Sequence, residues 1–310
     1  TATTEIYTFS LHDALPISLR ANRQDPGGPA AINWPIGSGT IIDTERRSRA
    51  EVWIGSTAYR LAGNSRAEFV AVNDQIVDLL LAEGTLAVTI RDRDQADDLQ
   101  VGTPGGRVRF PGPGRYRIEV LPERTTVAAQ AGSAEIDTGE RPIVVPPGEM
   151  ATFDERGLIG VDAAPYGDDF DAWVSALDGR ERSNAARRHV SPHMTGYQDL
   201  DVYGDWSSAP DYGAVWYPRT VAVDWAPYRD GRWAWIEPWG WTWVDAAPWG
   251  FAPFHYGRWV QVGGRWGWAP GSYAARPVYA PALVGWVGDP GWNVRFGYRS
   301  APAVGWFPLA

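Results

Sequence analysis

The chain has no cysteine. That excludes disulfides, thiolate nucleophiles, iron–sulfur clusters and cysteine-bound zinc. It has no lysine either, so all 28 basic residues are arginine, against 37 acidic residues and a net charge of −9. This balance argues against a nucleic-acid or anionic-membrane binder, which would carry a basic face. No apolar run reaches 18 residues, so no segment reads as a membrane-spanning helix. What the chain does have is 35 glycines, 25 prolines and 18 tryptophans in 310 residues. Glycine and proline at that density suit short strands joined by turns. The length fits two domains or one large β domain.

From about 30 to 161 the pattern is short strands. Arg115, Arg117 and Glu119 alternate with Tyr116, Ile118 and Val120, and Leu86, Val88 and Ile90 alternate with Ala87 and Thr89. Period two is the mark of a half-buried strand. Turn signals such as Gly63-Asn64, Glu83-Gly84, Gly105-Gly106 and Pro146-Pro147-Gly148 separate the runs, which predicts an antiparallel sandwich. The run from Asp92 to Asp98 reads as an exposed charged loop. Its spacing lacks the glycine and final glutamate of a calcium-binding EF-hand. Residues 1–18 stand apart. Positions 4–18 resemble the translation of a sequencing adaptor, so 1–18 is expected to be a non-native leader, with any signal peptide missing. At the other end the Trp/Pro pattern is still running at Pro308, and truncation is expected there too.

Between 165 and 195 the period changes. Phe170, Trp173, Val174 and Leu177 fall on one face of a helix, with Asp168 or Asp169 to cap it. This segment is expected to be a helical connector that packs on a neighbouring sheet. His189 and His193 are four apart, but Pro192 argues against a helix through both. With Asp199, Asp201 and Asp205 they read as an acidic linker more readily than as a metal site. There is no P-loop, GxGxxG on a βαβ unit, GxSxG elbow or HExxH, and no nucleophile–base pair stands out. No catalytic, cofactor-binding or metal-ligating residue, and no cofactor, is therefore expected.

Fifteen of the 18 tryptophans lie between Trp206 and Trp306. Within this stretch, residues 227–233 nearly repeat at 253–259, each ending in Gly-Arg-Trp, and Trp239-Gly240-Trp241 echoes Trp266-Gly267-Trp268. The repeat predicts two hairpins. On strands, Trp233 and Trp235 share a face, as do Trp239, Trp241 and Trp243, and likewise Trp266 and Trp268. Two readings stay open. Most of these rings, Trp233 and Trp259 in equivalent places among them, are expected in a core, since a buried indole fills about 150–250 Å². So many rings are also a heavy load for one small core, so Trp233, Trp235, Trp239, Trp241, Trp243, Trp259, Trp266 and Trp268 are the candidate aromatic binding surface.

Several motifs together resemble the FecR-type domain over about 35–155. They are Ser48-Arg49-Ala50-Glu51-Val52-Trp53-Ile54-Gly55, Leu79-Leu80-Leu81-Ala82-Glu83-Gly84-Thr85-Leu86, Val101-Gly102-Thr103-Pro104, Gly114-Arg115-Tyr116-Arg117-Ile118 and Pro147-Gly148-Glu149. Where members of that family continue to Arg-Gly-Thr, this chain has Arg109-Phe110-Pro111-Gly112. The Trp-rich half, with Tyr256-Gly257-Arg258-Trp259 and Val304-Gly305-Trp306-Phe307-Pro308, is similar to bacterial domains of unknown function. The resemblance implies a mainly β protein, exported to the periplasm or secreted. It implies a non-enzymatic role in protein interaction or signal sensing at the cell envelope. The alternative is a cell-wall or polysaccharide binder that uses exposed tryptophans. A glycan-active enzyme is a third, more distant reading.

Overall fold

The computed structural model describes residues 7–12, 17–73, 75–139, 141–165, 167–296 and 299–309. It is mainly β, as the strand periodicity predicts. Two compact units divide it: Thr1–Asn184 with Pro192–Thr195, and Ala185–Ser191 with Gly196–Ala310.

The first unit contains sixteen strands: β1 (Tyr7–His12), β2 (Ile17–Arg20), β3 (Gly28–Pro29), β4 (Thr40–Thr44), β5 (Arg49–Ile54), β6 (Thr57–Leu61), β7 (Ser65–Asn73), β8 (Ile76–Ile90), β9 (Leu99–Thr103), β10 (Gly106–Arg109), β11 (Gly114–Leu121), β12 (Arg124–Ala131), β13 (Ala134–Asp137), β14 (Ile143–Val145), β15 (Glu149–Asp154) and β16 (Gly157–Ala163). Its helices are α1 (Arg93–Asp97) and α2 (Asp169–Arg182). The long strand β8 belongs to two layers. Its first half pairs with β7 and β9, its second half with β6 and β11. The change of layer falls at Gly84, whose φ is +88° and where a Cβ would run into the backbone at Ser65. Strands that switch sheets at a bend are how two-layer β folds turn corners. Glu83-Gly84, expected as a turn between strands, is thus a corner inside one strand.

Not every pair is antiparallel. β8 and β9 run parallel, Val77 opposite Leu99. Parallel neighbours need a crossover, and here the second half of β8 and α1 supply it. The Asp92–Asp98 run, expected as an exposed loop, therefore folds as a short helix with Asp92 as its N-cap. The aliphatic residues of both layers meet in one core, including Leu79, Leu81, Leu86, Val88, Val108, Ile118, Val127 and Ile136. Ile17 and Ser18 lie in β2 beside β4, and Ile17 is buried in that core, because its alternation with Leu19 continues the inward face.

Helix α2 begins with a capping box. Asp168 accepts from the Phe170 and Asp171 N–H groups, and Asp171 accepts from the Asp168 N–H. Its stripe covers the outer face of β5, β6 and β8, where Phe170 and Val174 pack on Ala87. It is part of the first unit, more than the connector the sequence suggested. Beneath it lies a buried polar layer that no sequence period announces. Arg60, fully buried, bonds Glu51 at 2.7 Å and Asp178 at 2.9 Å. Arg91 reaches Asp178 at 2.7 Å and Glu181 at 2.9 Å, and its guanidinium stands 4.9 Å from the Trp53 ring. Removing one partner from such a buried set is far more costly than the set's net contribution, since it strands a charge.

The second unit holds α3 (Leu200–Tyr203), β17 (Gly204–Ala209), β18 (Gly213–Pro218), β19 (Gly231–Ile236), β20 (Gly240–Asp245), α4 (Ala252–His255), β21 (Arg258–Val262), β22 (Arg265–Ala269), β23 (Val284–Phe296) and β24 (Arg299–Pro308). β17, β18, β22 and β21 form one four-stranded sheet; β19–β20 and β23–β24 are separate hairpins.

Candidate functional site

Both halves of the near-repeat are hairpins, as predicted, but their surroundings differ. In β21–β22 the strands meet at Gly263-Gly264, both with positive φ, which is the requirement of a tight two-residue turn. Trp259 stands opposite Trp268, and Trp268 in turn stands opposite Trp216 of β18, which pairs with Trp206 of β17. Direct cross-strand partners share a face, so four tryptophans form one rung across the sheet. Trp225, Trp249 and Phe254 pack on Trp259 at 5.2–6.2 Å. Two indoles of the rung donate to carbonyls: Trp216 to Leu200 and Trp268 to Tyr256, each at 2.8 Å. Trp259 is 1 % exposed. Trp266 lies opposite Gln261 and is half-buried.

In β19–β20 the pairs are Trp233 with Trp243 and Trp235 with Trp241, so all four rings lie on one face. One end of that face is covered. Trp233 meets Trp286 at 4.6 Å and Trp306 at 5.5 Å, and Trp243 meets Tyr228 at 5.6 Å. The other end is open: Trp235 is 60 % exposed and Trp241 56 %. Their centroids are 5.7 Å apart with the ring planes at 88°. The Trp235 indole donates to the exposed carboxylate of Glu237 at 2.9 Å. Trp286, Trp306 and Phe307 are exposed as well and extend the strip beyond Trp233.

Two expectations are corrected here. Trp233 and Trp259 are not equivalent: Trp233 is half-buried under β23–β24, while Trp259 is sealed in the four-stranded sheet, because only the second hairpin has β18 as a neighbour. Trp239 does not share the face of Trp241 and Trp243. Strand β20 starts at Gly240, so Trp239 sits in the turn and packs on Tyr279 at 5.8 Å.

The buried ionisable groups of this unit are enclosed by rings and backbone. Asp245 accepts from the Trp243 indole and from the Ala247 N–H, each at 2.9 Å. Burial, with Asp230 nearby, pushes its carboxyl up to about 7. His255 is enclosed by Phe251 and Tyr279, its Nδ1 2.9 Å from the Ala280 carbonyl, and burial pushes it down to about 4. The Tyr228 hydroxyl donates to the Phe254 carbonyl and accepts from the Leu283 N–H. His189 stacks on Trp206 at 4.3 Å, His193 lies 3.4 Å from Asp92, and Asp205 pairs with Arg219. Asp201 accepts from the Ala185 and Ala186 N–H groups. Among the described residues no three His, Asp or Glu side chains come together as metal ligands would.

Residues 197–310 match a family of unknown function, DUF6600. No curated protein matches the chain. Two crystal structures of a proposed anti-sigma factor from Parabacteroides distasonis ATCC 8503 are similar over 58 % of this chain and 99 % of theirs. Their identities are 15 % and 14 %, each with a TM-score of 0.37.

Proposed function

We propose that this is a non-catalytic, exported protein of the cell envelope that works by binding a protein partner, with the open end of the β19–β20 aromatic face as its contact. The observation that carries the reading is Trp235 and Trp241, more than half exposed on a face whose other rings are covered. Contiguous exposed aromatic surface marks interaction sites, and tryptophan is among the residues that most often dominate protein interfaces. The FecR-type resemblance of the first unit supports the same direction, a role in sensing and relay through protein contacts. The enclosure of His255 and Asp245 by rings and backbone suits packing, not proton transfer to a substrate. A polysaccharide would stack best on rings lying side by side. Rings at 88° offer it no common plane, which favours the protein partner.

The test is capture from envelope extract with wild type and with a Trp235→Ala/Trp241→Ala double variant whose folding is checked by near-ultraviolet circular dichroism. A protein retained by wild type and lost by the folded double variant is expected. Retention that ignores both rings, or retention of peptidoglycan fragments in place of a protein, would overturn the reading.

A further inference from the structure

We infer that Trp235, Trp241 and Glu237 form a receptor for a cationic side chain, an arginine or lysine, presented by the partner. This rests on the protein-binding reading above and names the chemistry of its anchor. Two indoles with planes at 88° and centroids 5.7 Å apart make a right-angled corner. The face of an aromatic ring carries negative potential, tryptophan most strongly, and attracts a cation within about 6 Å of its centroid. A corner lets one cation lie against two faces at once. Glu237 adds a full negative charge at the rim of the same corner. Its Oε1 accepts from the Trp235 indole at 2.9 Å, which fixes both groups while the carboxylate stays in solvent.

The corner is also held in place before any ligand arrives. The six-membered ring of Trp235 lies over Gly240, where a Cβ would meet it at 3.6 Å, and Gly240 has φ +79°. A side chain braced by the turn and by a hydrogen bond has little freedom left to lose on binding. An anion would be repelled by Glu237, and a purely apolar group would gain nothing from it. A cation with an apolar stem uses every element of the corner: rings for the stem and the charge, carboxylate for the charge.

The experiment is a titration followed by the indole signals in ¹H–¹⁵N spectra of the whole chain, with Trp235→Phe and Trp241→Phe variants to assign the two peaks. The probes are N-acetyl-arginine amide, tetramethylammonium, and N-acetyl-citrulline amide as the uncharged near-isostere of arginine. Both cations should shift the Trp235 and Trp241 signals along saturable curves, and citrulline amide should shift them far less. Glu237→Gln, with its spectrum otherwise unchanged, should weaken the cation response about threefold, as loss of an exposed ion pair does. Equal response to arginine and citrulline amides, shifts confined to other indoles, or an unaltered response in Glu237→Gln would overturn the assignment. If cations bind the corner but envelope capture finds no ring-dependent protein, the partner reading falls and the cation site stands. If capture depends on the rings while cations leave the corner unmoved, the reverse holds.

Discussion

The two hairpins of the near-repeat begin with the same Gly-Arg-Trp and end in opposite circumstances. β21–β22 has β18 beside it, joined where Trp216 faces Trp268, and Trp216, Trp259 and Trp268 of its aromatic rung are sealed. β19–β20 is a sheet of two strands; among the described residues no third strand lies along either edge, and β20 is met outside the hairpin by the Pro281 carbonyl, which accepts from the Trp243 N–H. Its aromatic face is covered only as far as Trp286 and Trp306 reach, and Trp235 and Trp241 remain in water. The lesson is that local pattern decides which rings share a face, while a strand some fifty positions away decides whether that face is core or surface. One duplicated motif thereby supplies both a buried core and an exposed aromatic face.

The sharpest break of this comparison is Trp259→Ala. A sealed indole replaced by alanine should cost about 3–5 kcal/mol, enough to unfold the second unit in a thermal melt. A loss under about 1 kcal/mol would mean that the rung is not a core. Next comes Asp245→Asn, which tests the inner end of the exposed hairpin through pH. The folded state keeps the Asp245 proton up to about pH 7, whereas the unfolded chain releases it near the ordinary carboxylate value. The stability this group contributes is thus present at low pH and lost as pH rises toward 7. His255 works the other way: held neutral down to about pH 4, it contributes stability above its ordinary value that is lost as pH falls. The two slopes oppose each other between about pH 4 and 6.5, which leaves Asp245 to govern the remaining decline up to about 7. At pH 5 the folded protein holds Asp245 protonated, and a neutral carboxyl and a carboxamide each offer one carbonyl acceptor, so the variant should match wild type within about 1 kcal/mol. By pH 8 wild type should have lost stability that the variant keeps, leaving the variant the more stable by about 2–3 kcal/mol in denaturant titrations. A gap independent of pH would show that Asp245 is ionised throughout.

Trp233→Ala should fall between the extremes, at about 2 kcal/mol, since β23–β24 covers the ring only in part. A cost equal to that of Trp259→Ala would restore the equivalence that the repeat implies. The smallest effect belongs to Trp235→Ala and Trp241→Ala. Each should change stability by about 0.5 kcal/mol or less, as exposed positions do, while abolishing ring-dependent partner capture.

Much of the first unit can be read from its residues. Leu86, Val88 and Ile90 point inward as their alternation requires, and Asp168 caps α2 where the helical stripe begins. The continuity of β8 through Gly84 could not be read, because a glycine that permits a corner looks the same as one that permits a turn. The Arg60 layer brings together Glu51, Thr89 and Asp178 from three separate segments, and alternation alone makes Arg60 look like a solvent-facing residue. A weak signal existed: Asp178 and Glu181 continue the line of Val174 and Leu177 along α2, placing carboxylates beside the stripe that faces the sheet. At the candidate site, the shared face of Trp233 and Trp235 was legible from spacing of two. The exposure of Trp235 and the burial of Trp259 were not, since both depend on long-range partners. Trp239 was misplaced because no periodicity marks the residue at which a strand starts.

The packing of the indoles has an optical consequence. Trp235 touches Trp241, Trp233 touches Trp243, Trp286 and Trp306, and Trp225, Trp249 and Trp259 lie within about a ring's width of one another. Excitation absorbed by one ring at such spacing passes to its neighbours faster than it is emitted. Light leaving the protein is therefore strongly depolarised, even from a slowly tumbling molecule, and it comes disproportionately from whichever rings hold the lowest excited states. Indoles in water, such as Trp235 and Trp241, are those rings. Trp235 and Trp241, in contact with each other and in water, should share their excitation, so a quencher seated between them should remove the emission of both at once.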